Sequence, residues 1–119
     1  MTYVDGYVLP VPKKNLKAYA ALAKKAAKIW MDHGALSVRE CVGEDLNVKC
    51  GVRFPKLVKP KAGETVVFSW IEFKSRADRD RVNGKVMKDS RLGTMVDLKK
   101  MPFDITRMAY GGFKAIVKE

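Results

Sequence analysis

The hydrophobic pattern is densest in the segment 65–73 (TVVFSWIEF), where large apolar side chains occur at both odd and even positions. Successive side chains of a β-strand point to opposite faces of a sheet, so this segment predicts a strand that is apolar on both faces. A single helical layer can cover only one face of a small sheet. We therefore predict that the other face packs against a second copy of the chain in a homodimer.

Two further periodicities divide the rest of the chain into helices and strands. Between Leu16 and Trp30, apolar residues recur at steps of three and four, which is typical of an amphipathic helix. Ser75 is suited to cap a second helix that runs from Arg76 to Lys88. Strands are predicted where apolar and β-branched residues alternate or cluster: Tyr3–Val11, Ala35–Val42, Thr65–Phe73 and Met108–Val117.

The resulting order of elements is strand, helix, strand, strand, helix, strand. This order is typical of the ferredoxin-like fold, an α+β arrangement with one antiparallel sheet and both helices on one face. We predict a single domain over residues 1–119, a length that one hydrophobic core can support. Two such sheets packed face to face would form a dimeric α/β barrel. The segment 44–63 shows no period and is predicted to be a loop.

Alternation along the strands predicts which side chains line the interior of that barrel. One face of the first strand is small, and we assign it to contact with the helices: Val4, Gly6 and Val8. The opposite face would then point away from the helices: Tyr3, Asp5, Tyr7 and Leu9. On the third strand we assign the same outward direction to Phe68, Trp70 and Glu72.

Polar and aromatic residues on these outward faces predict a chamber that binds a small molecule between the two sheets. The candidates stand where a structural residue is usually apolar: Asp5, Tyr7, Trp70 and Glu72, with Arg39 or Glu40 and with Tyr110. A carboxylate in an apolar chamber tends to have a raised pKa, and it can act as a general base or hold a polar ligand. The alternative is that Asp5 and Glu72 pair with Arg39 or Arg107 and only fix the strand register.

The excess of basic residues supports a hypothesis of a different class. The chain has 24 Lys and Arg against 13 Asp and Glu, a net charge of +11, which attracts polyanions. Six lysines on the first helix could contact the phosphates of a nucleic acid: Lys13, Lys14, Lys17, Lys24, Lys25 and Lys28. Lysine without stacked aromatic residues gives little specificity, so such binding is expected to be non-specific. The alternative is a solvated helix face.

Composition also limits the other function classes. Two cysteines and one histidine are too few for a Cys/His zinc site within one chain, and we predict neither a metal nor a cofactor. No apolar run approaches the ~20 residues that span a bilayer, so no membrane partner is expected. The first residues lack the basic leader and apolar stretch of a secretory signal. We therefore expect a cytoplasmic protein.

Several motifs, in order, connect the sequence to a known family: YVDGYV at 3–8, ETVVFSWIE at 64–72, MPFD at 101–104 and YGGF at 110–113. Over nearly its whole length the chain resembles the bacterial YbaA-like family, domain of unknown function 1428. The resemblance implies a dimeric α/β barrel of the ferredoxin-like type, and it implies no activity. Related folds include cofactor-free oxygenases, so a monooxygenase-like activity is expected by analogy alone, and a structural or regulatory dimer is the alternative.

Overall fold

The four strands form one antiparallel sheet in the order β2-β3-β1-β4. The computed structural model describes residues 1–97 and 99–119. Its elements are β1 (Tyr3–Pro12), α1 (Leu16–Asp32), β2 (Ser37–Val42), α2 (Phe54–Val58), β3 (Glu64–Phe73), α3 (Arg76–Met87), α4 (Ser90–Met95) and β4 (Ala109–Lys114). This strand order is that of the ferredoxin-like fold, which confirms the predicted fold class. The short helices α2 and α4 are additions to it.

The two long helices, α1 and α3, cover the same face of the sheet. The predicted cap of α3 is confirmed, because the Ser75 hydroxyl accepts a hydrogen bond from the Asp78 backbone N–H at 3.1 Å. Two clusters of buried residues lie in the core between helices and sheet: Ile29, Ala35, Ile71, Phe73, Val82 and Val86, and Leu9, Val11, Tyr19 and Val67. Among the described residues, no long helix lies on the opposite face of the sheet.

The face assignment for β1 is wrong. Leu9 and Val11 are 1% and 0% exposed and belong to the core, so the face of Tyr3, Asp5 and Tyr7 also points toward the helices. Small side chains on β1 do not mark the helix-covered face, because α1 is itself rich in alanine. Large side chains from the strand are therefore needed to fill the space between helix and sheet at the density of a protein interior.

The face assignment for β3 is confirmed. Val67 and Ile71 are buried under the helices, whereas Phe68 is 41% exposed on the other side. We call this second side the open face, and the strand register places on it Val4, Gly6, Val8, Arg39, Cys41, Phe68, Trp70, Glu72, Gly111 and Phe113. Phe54 of α2 reaches one end of the open face, where its ring centroid lies 6.0 Å from that of Phe68. Lys118 also approaches this face, at Glu72, and among the described residues no other helix covers it.

Two features are absent from residues 1–97 and 99–119. None of the helices there combines the length and the apolar character needed to cross a bilayer. Nor does that part of the chain bring together three His, Cys, Asp or Glu side chains that could hold a metal ion.

Candidate functional site

Four residues with polar groups form a row across the helix-covered face of the sheet. In the strand register, Tyr110 of β4 lies beside Tyr7 of β1. Tyr7 lies beside Ser69 of β3, and Ser69 lies beside Glu40 of β2. Directly paired residues point to the same face, with Cβ atoms about 5 Å apart. We call this set the polar row.

Contacts hold the polar row at both ends. Tyr19 Oη donates a hydrogen bond to Glu40 Oε1 at 2.7 Å, which connects α1 to β2. At the other end, Tyr110 Oη donates to Asp5 Oδ2 at 3.3 Å. The ring of Tyr110 also stacks on that of Tyr7, with centroids 4.9 Å apart and planes at 24°. The row is therefore ordered by contacts within the chain, as a preorganised site requires.

A cavity of about 190 Å³ lies between the sheet, α1, α4 and the segment 101–108. Its walls are mostly apolar, and they include Trp30, Ile71, Met95, Met101, Phe103 and Met108. Three alanines of α1 form part of the wall: Ala23, Ala26 and Ala27. Their short side chains leave the space open. The hydroxyl and carboxyl groups at this cavity come from Tyr7, Tyr19, Glu40 and Ser69.

A second, adjoining space of about 260 Å³ runs between α1 and β2. Tyr19 and Glu40 line both spaces, so the hydrogen bond that joins them stands between the two. Because β2 is an edge strand, Glu40 is exposed along one side. The polar end of the cavity can therefore be reached from the β2 edge of the sheet.

Burial determines the protonation of the polar row. It raises the pKa of the Glu40 carboxyl, although the hydroxyls of Tyr19 and Ser69 act in the opposite direction. Burial also raises the pKa of the Tyr7 hydroxyl, and the nearby charge of Asp5 adds to the effect. The pKa of Tyr19 is raised for the same reason, with a further contribution from its hydrogen bond to Glu40. Since tyrosine titrates near 10 in water, both hydroxyls remain protonated donors at neutral pH.

The raised pKa of Glu40 predicts how Glu40→Gln changes the pH dependence of stability. A carboxyl with a higher pKa in the folded state binds protons more tightly when folded, so its contribution becomes more favourable as the pH falls. Glutamine does not titrate. We expect the free energy of unfolding of the wild type, minus that of Glu40→Gln, to increase between about pH 7 and about pH 5. Urea unfolding at both pH values measures it, and a constant or decreasing difference would contradict the raised pKa.

Asp5 lies outside the cavity, in a buried polar network beneath α3. Its side chain is 0% exposed, and its Oδ1 lies 3.3 Å from Arg79 Nε. Asn83 Nδ2 donates to Asp5 Oδ2 at 3.1 Å, while Asn83 Oδ1 accepts from Trp30 Nε1 at 2.9 Å. Arg79 Nη2 also donates to Tyr3 Oη at 3.1 Å. The network joins β1, α1 and α3, and it pairs the buried carboxylate with an opposite charge.

Three other predicted site residues lie on the open face. Arg39 and Trp70 are neighbours there in the register of β2 and β3. Glu72 Oε2 is 3.9 Å from Lys118 Nζ. A depression of about 650 Å³ lies over Gly6 and is bordered by Trp70 and Phe113. Aromatic side chains and glycines thus give this face an uneven, mainly apolar surface.

The predicted chamber therefore does not form as a single site. Two groups of its residues lie on opposite faces of the sheet: Asp5, Tyr7, Glu40 and Tyr110 under the helices, and Arg39, Trp70 and Glu72 on the open face. The physical reason is the alternation of β1, whose inward face had been assigned to the wrong side. The alternative pairing is wrong for Asp5, which pairs with Arg79. Arg107 binds Glu64 instead, at 2.8 and 2.9 Å.

The six lysines of the alternative hypothesis are all exposed. Lys13 and Lys14 lie in a 3₁₀ turn before α1 rather than on it. The others lie on α1: Lys17, Lys24, Lys25 and Lys28. Lys28 Nζ lies 3.4 Å from Asp32 Oδ1, an exposed pair that contributes little to stability. Binding of a polyanion by these lysines stays a prediction.

Residues 2–105 match a family described as protein of unknown function, DUF1428. The chain belongs to this family. Over 119 residues it is 43% identical to the uncharacterised protein YbaA of Escherichia coli K12, with full coverage of both chains. The YbaA protein of Shigella flexneri is similar at the same identity and coverage. The predicted family resemblance is therefore confirmed.

Two solved structures show how far the DUF1428 fold extends beyond close relatives. The structure of Rv0793 from Mycobacterium tuberculosis aligns with a TM-score of 0.59 at 12% identity, over 99% of this chain and 98% of that one. A dimeric ferredoxin-like protein from an uncultured marine organism aligns with a TM-score of 0.58 at 12% identity, over 99% and 97%. At this identity the likeness concerns the fold alone.

Three residues that order the site of this DUF1428 chain cannot be recognised from the sequence pattern. Tyr19 falls within the apolar pattern of the helix predicted between Leu16 and Trp30, although its hydroxyl donates a hydrogen bond to Glu40. Arg79 and Asn83 lie within the helix predicted from Arg76 to Lys88, where periodicity gives neither a role, although both contact Asp5. Ser69 is a signal for the polar row in the sequence, because a small polar residue in the middle of an apolar strand needs a polar neighbour.

Proposed function

We propose that this protein is a homodimer in which each subunit binds a small, mainly apolar organic molecule in the cavity beneath α1. The observation that carries the proposal is the composition of the cavity wall. Apolar side chains surround a single group of polar atoms, at which Glu40 and Tyr19 are already hydrogen-bonded to each other. Ligand sites typically combine an apolar lining with a few fixed polar groups.

The size of the cavity supports a ligand no larger than about one ring. An engineered apolar cavity of about 150 Å³ in another protein is large enough to hold benzene. The cavity described above measures about 190 Å³. A molecule of seven or so non-hydrogen atoms would therefore fill it, by the same relation of volume to ring size.

The homodimer is supported by the open face. Phe68 is 41% and Phe113 is 62% exposed there, and the depression around Trp70 offers space for side chains of a second copy. Large exposed apolar patches on soluble proteins commonly mark interaction sites. A protein of the same fold is described as dimeric, which favours a second copy as the occupant of this face.

The geometry of the cavity supports a binding function. The cavity holds a carboxyl and hydroxyl groups but, within the described residues, no histidine, lysine or cysteine lines it. The monooxygenase-like activity that fold analogy implies stays a prediction, as does the cytoplasmic location.

Ala26→Leu tests the proposed pocket by filling it. We expect the larger side chain to occupy the cavity and to weaken the binding of toluene at least tenfold, because the probe and the new side chain need the same space. Ala21→Leu makes the same change at an exposed position of α1 and should leave binding unchanged. Toluene titrations followed by amide chemical shifts measure both. Equal binding by the two variants, or no binding by the wild type, would contradict the pocket.

A further inference from the structure

We infer that the molecule bound in the cavity is a ring-sized neutral alcohol of the phenol class, whose hydroxyl lies between Tyr7 and Glu40. The inference rests on the proposed function and adds the chemistry of the ligand to it. Three observations carry it: the free hydrogen-bonding capacity of the polar row, the absence of positive charge in the wall, and the arrangement of the row itself.

Glu40 has acceptor capacity that the protein does not use. A carboxylate offers about four lone-pair positions on two oxygens. Among the described residues, Glu40 accepts one hydrogen bond of good geometry, from Tyr19 to Oε1, and the Ser69 hydroxyl lies close enough to lower the pKa of the carboxyl, so that at least one further acceptor position is unused. Burial raises the pKa of Glu40, which makes an additional donor more favourable there. A ligand hydroxyl can supply such a donor.

Tyr7 offers the complementary donor. Its hydroxyl is protonated at neutral pH, since burial raises its pKa, and it has no hydrogen-bond partner among the described residues. Tyr7 and Glu40 flank Ser69 in the polar row, one strand away on either side. Both also line the cavity. One hydroxyl group that accepts from Tyr7 and donates to Glu40 would satisfy both residues, which neither a purely apolar ring nor an ammonium group can do.

The charge of the wall excludes anionic ligands. No Lys or Arg of the described chain lines the cavity, and Glu40 is its only acid. A carboxylate or phosphate group would lie beside the like charge of Glu40, with no counter-ion in the cavity wall. The row therefore selects a neutral hydroxyl over an acidic group of similar size.

A pair of nearly isosteric probes separates this inference from the proposed function. Phenol and toluene have the same number of non-hydrogen atoms and differ mainly in the hydroxyl. We expect the wild type to bind phenol about tenfold more tightly than toluene, because one pair of hydrogen bonds is gained. Benzylamine, which is charged at neutral pH, should bind more weakly than phenol. Titrations at pH 7 followed by amide chemical shifts provide the three dissociation constants.

Two variants test the residues named. Tyr7→Phe and Glu40→Gln should each reduce the preference for phenol over toluene to about threefold or less, and toluene binding should change little. Tyr3→Phe is the matched control, since Tyr3 lies on the same strand and face as Tyr7 but outside the cavity wall. Tyr3→Phe should keep the full preference for phenol over toluene.

The outcomes distinguish the two proposals. Equal binding of phenol and toluene by the wild type would overturn the ligand class and leave the apolar pocket standing. Tighter binding of benzylamine than of phenol would do the same. An undiminished preference in both Tyr7→Phe and Glu40→Gln would show that the hydroxyl binds elsewhere, and would also overturn the inference. Failure of all three probes to bind the wild type would overturn the proposed function itself.

Discussion

Replacing Asp5 by alanine is expected to lower the free energy of unfolding by about 3–5 kcal/mol. The substitution removes the buried partner of the Arg79 guanidinium, at a site where Asp5 is completely buried. It also removes the acceptor of the hydrogen bonds from Asn83 and Tyr110. Because whole domains are stable by only about 5–15 kcal/mol, the variant should lie close to the folding limit. Urea or guanidinium unfolding followed by tryptophan fluorescence measures the change.

Two further variants keep this prediction testable. Asp80→Ala removes a carboxylate that also approaches Arg79, at 3.1 Å, but from a side chain that is 56% exposed. Its loss should cost about 1 kcal/mol at most, as for other exposed ion pairs. Asp5→Asn keeps the shape of the side chain, and its loss in the free energy of unfolding should lie between the losses of the two alanine variants. Similar small losses for Asp5→Ala and Asp80→Ala would show that the buried pair does not hold α3 to the sheet.

Replacing Trp70 by glutamate is expected to convert the proposed homodimer into monomers at micromolar concentration. Buried tryptophans at interfaces commonly contribute about 2 kcal/mol or more, which is at least a 30-fold change in the dissociation constant. A carboxylate on each copy would also be buried near the middle of the pairing without a partner. Sedimentation velocity or light scattering over a range of concentrations measures the change in mass.

The control for this variant carries the same charge on the other side of the molecule. Met87 is 64% exposed at the end of α3, so Met87→Glu adds a carboxylate to the helical layer and should leave the mass unchanged. A wild-type protein that is monomeric at micromolar concentration would rule out the proposed dimer. Retention of the dimer by Trp70→Glu would place the contact elsewhere.

The order of elements could be predicted from the sequence because it depends on local periodicity. The three- and four-residue steps of α1 and the dense apolar run of β3 each specify an element on their own. Which face of β1 points toward the helices depends instead on what packs against the strand. Small and large side chains alternate along β1, and only the placement of the alanine-rich α1 decides which set is buried.

The candidate site could be predicted in part. A carboxylate at Glu40, in a strand that is otherwise short of acids, and an aromatic residue at Tyr7 were visible as unusual positions. Their association depends on strand register, which pairs both residues with Ser69 and which periodicity alone does not give. The partner of Asp5 was harder to find, because any of 24 basic residues could have paired with it. The walls formed by 101–108 lacked a period altogether.

The strict alternation of β1 limits where the chain can change in length. An extra residue inserted between Asp5 and Tyr7 would turn Tyr7 and Leu9 to the open face and bring Val8 under α1. One insertion would thus disrupt the core, the cavity and the open face together. The stretch between Gly43 and Glu64 lies outside the sheet and has no such constraint. Additions to the chain are therefore best tolerated there.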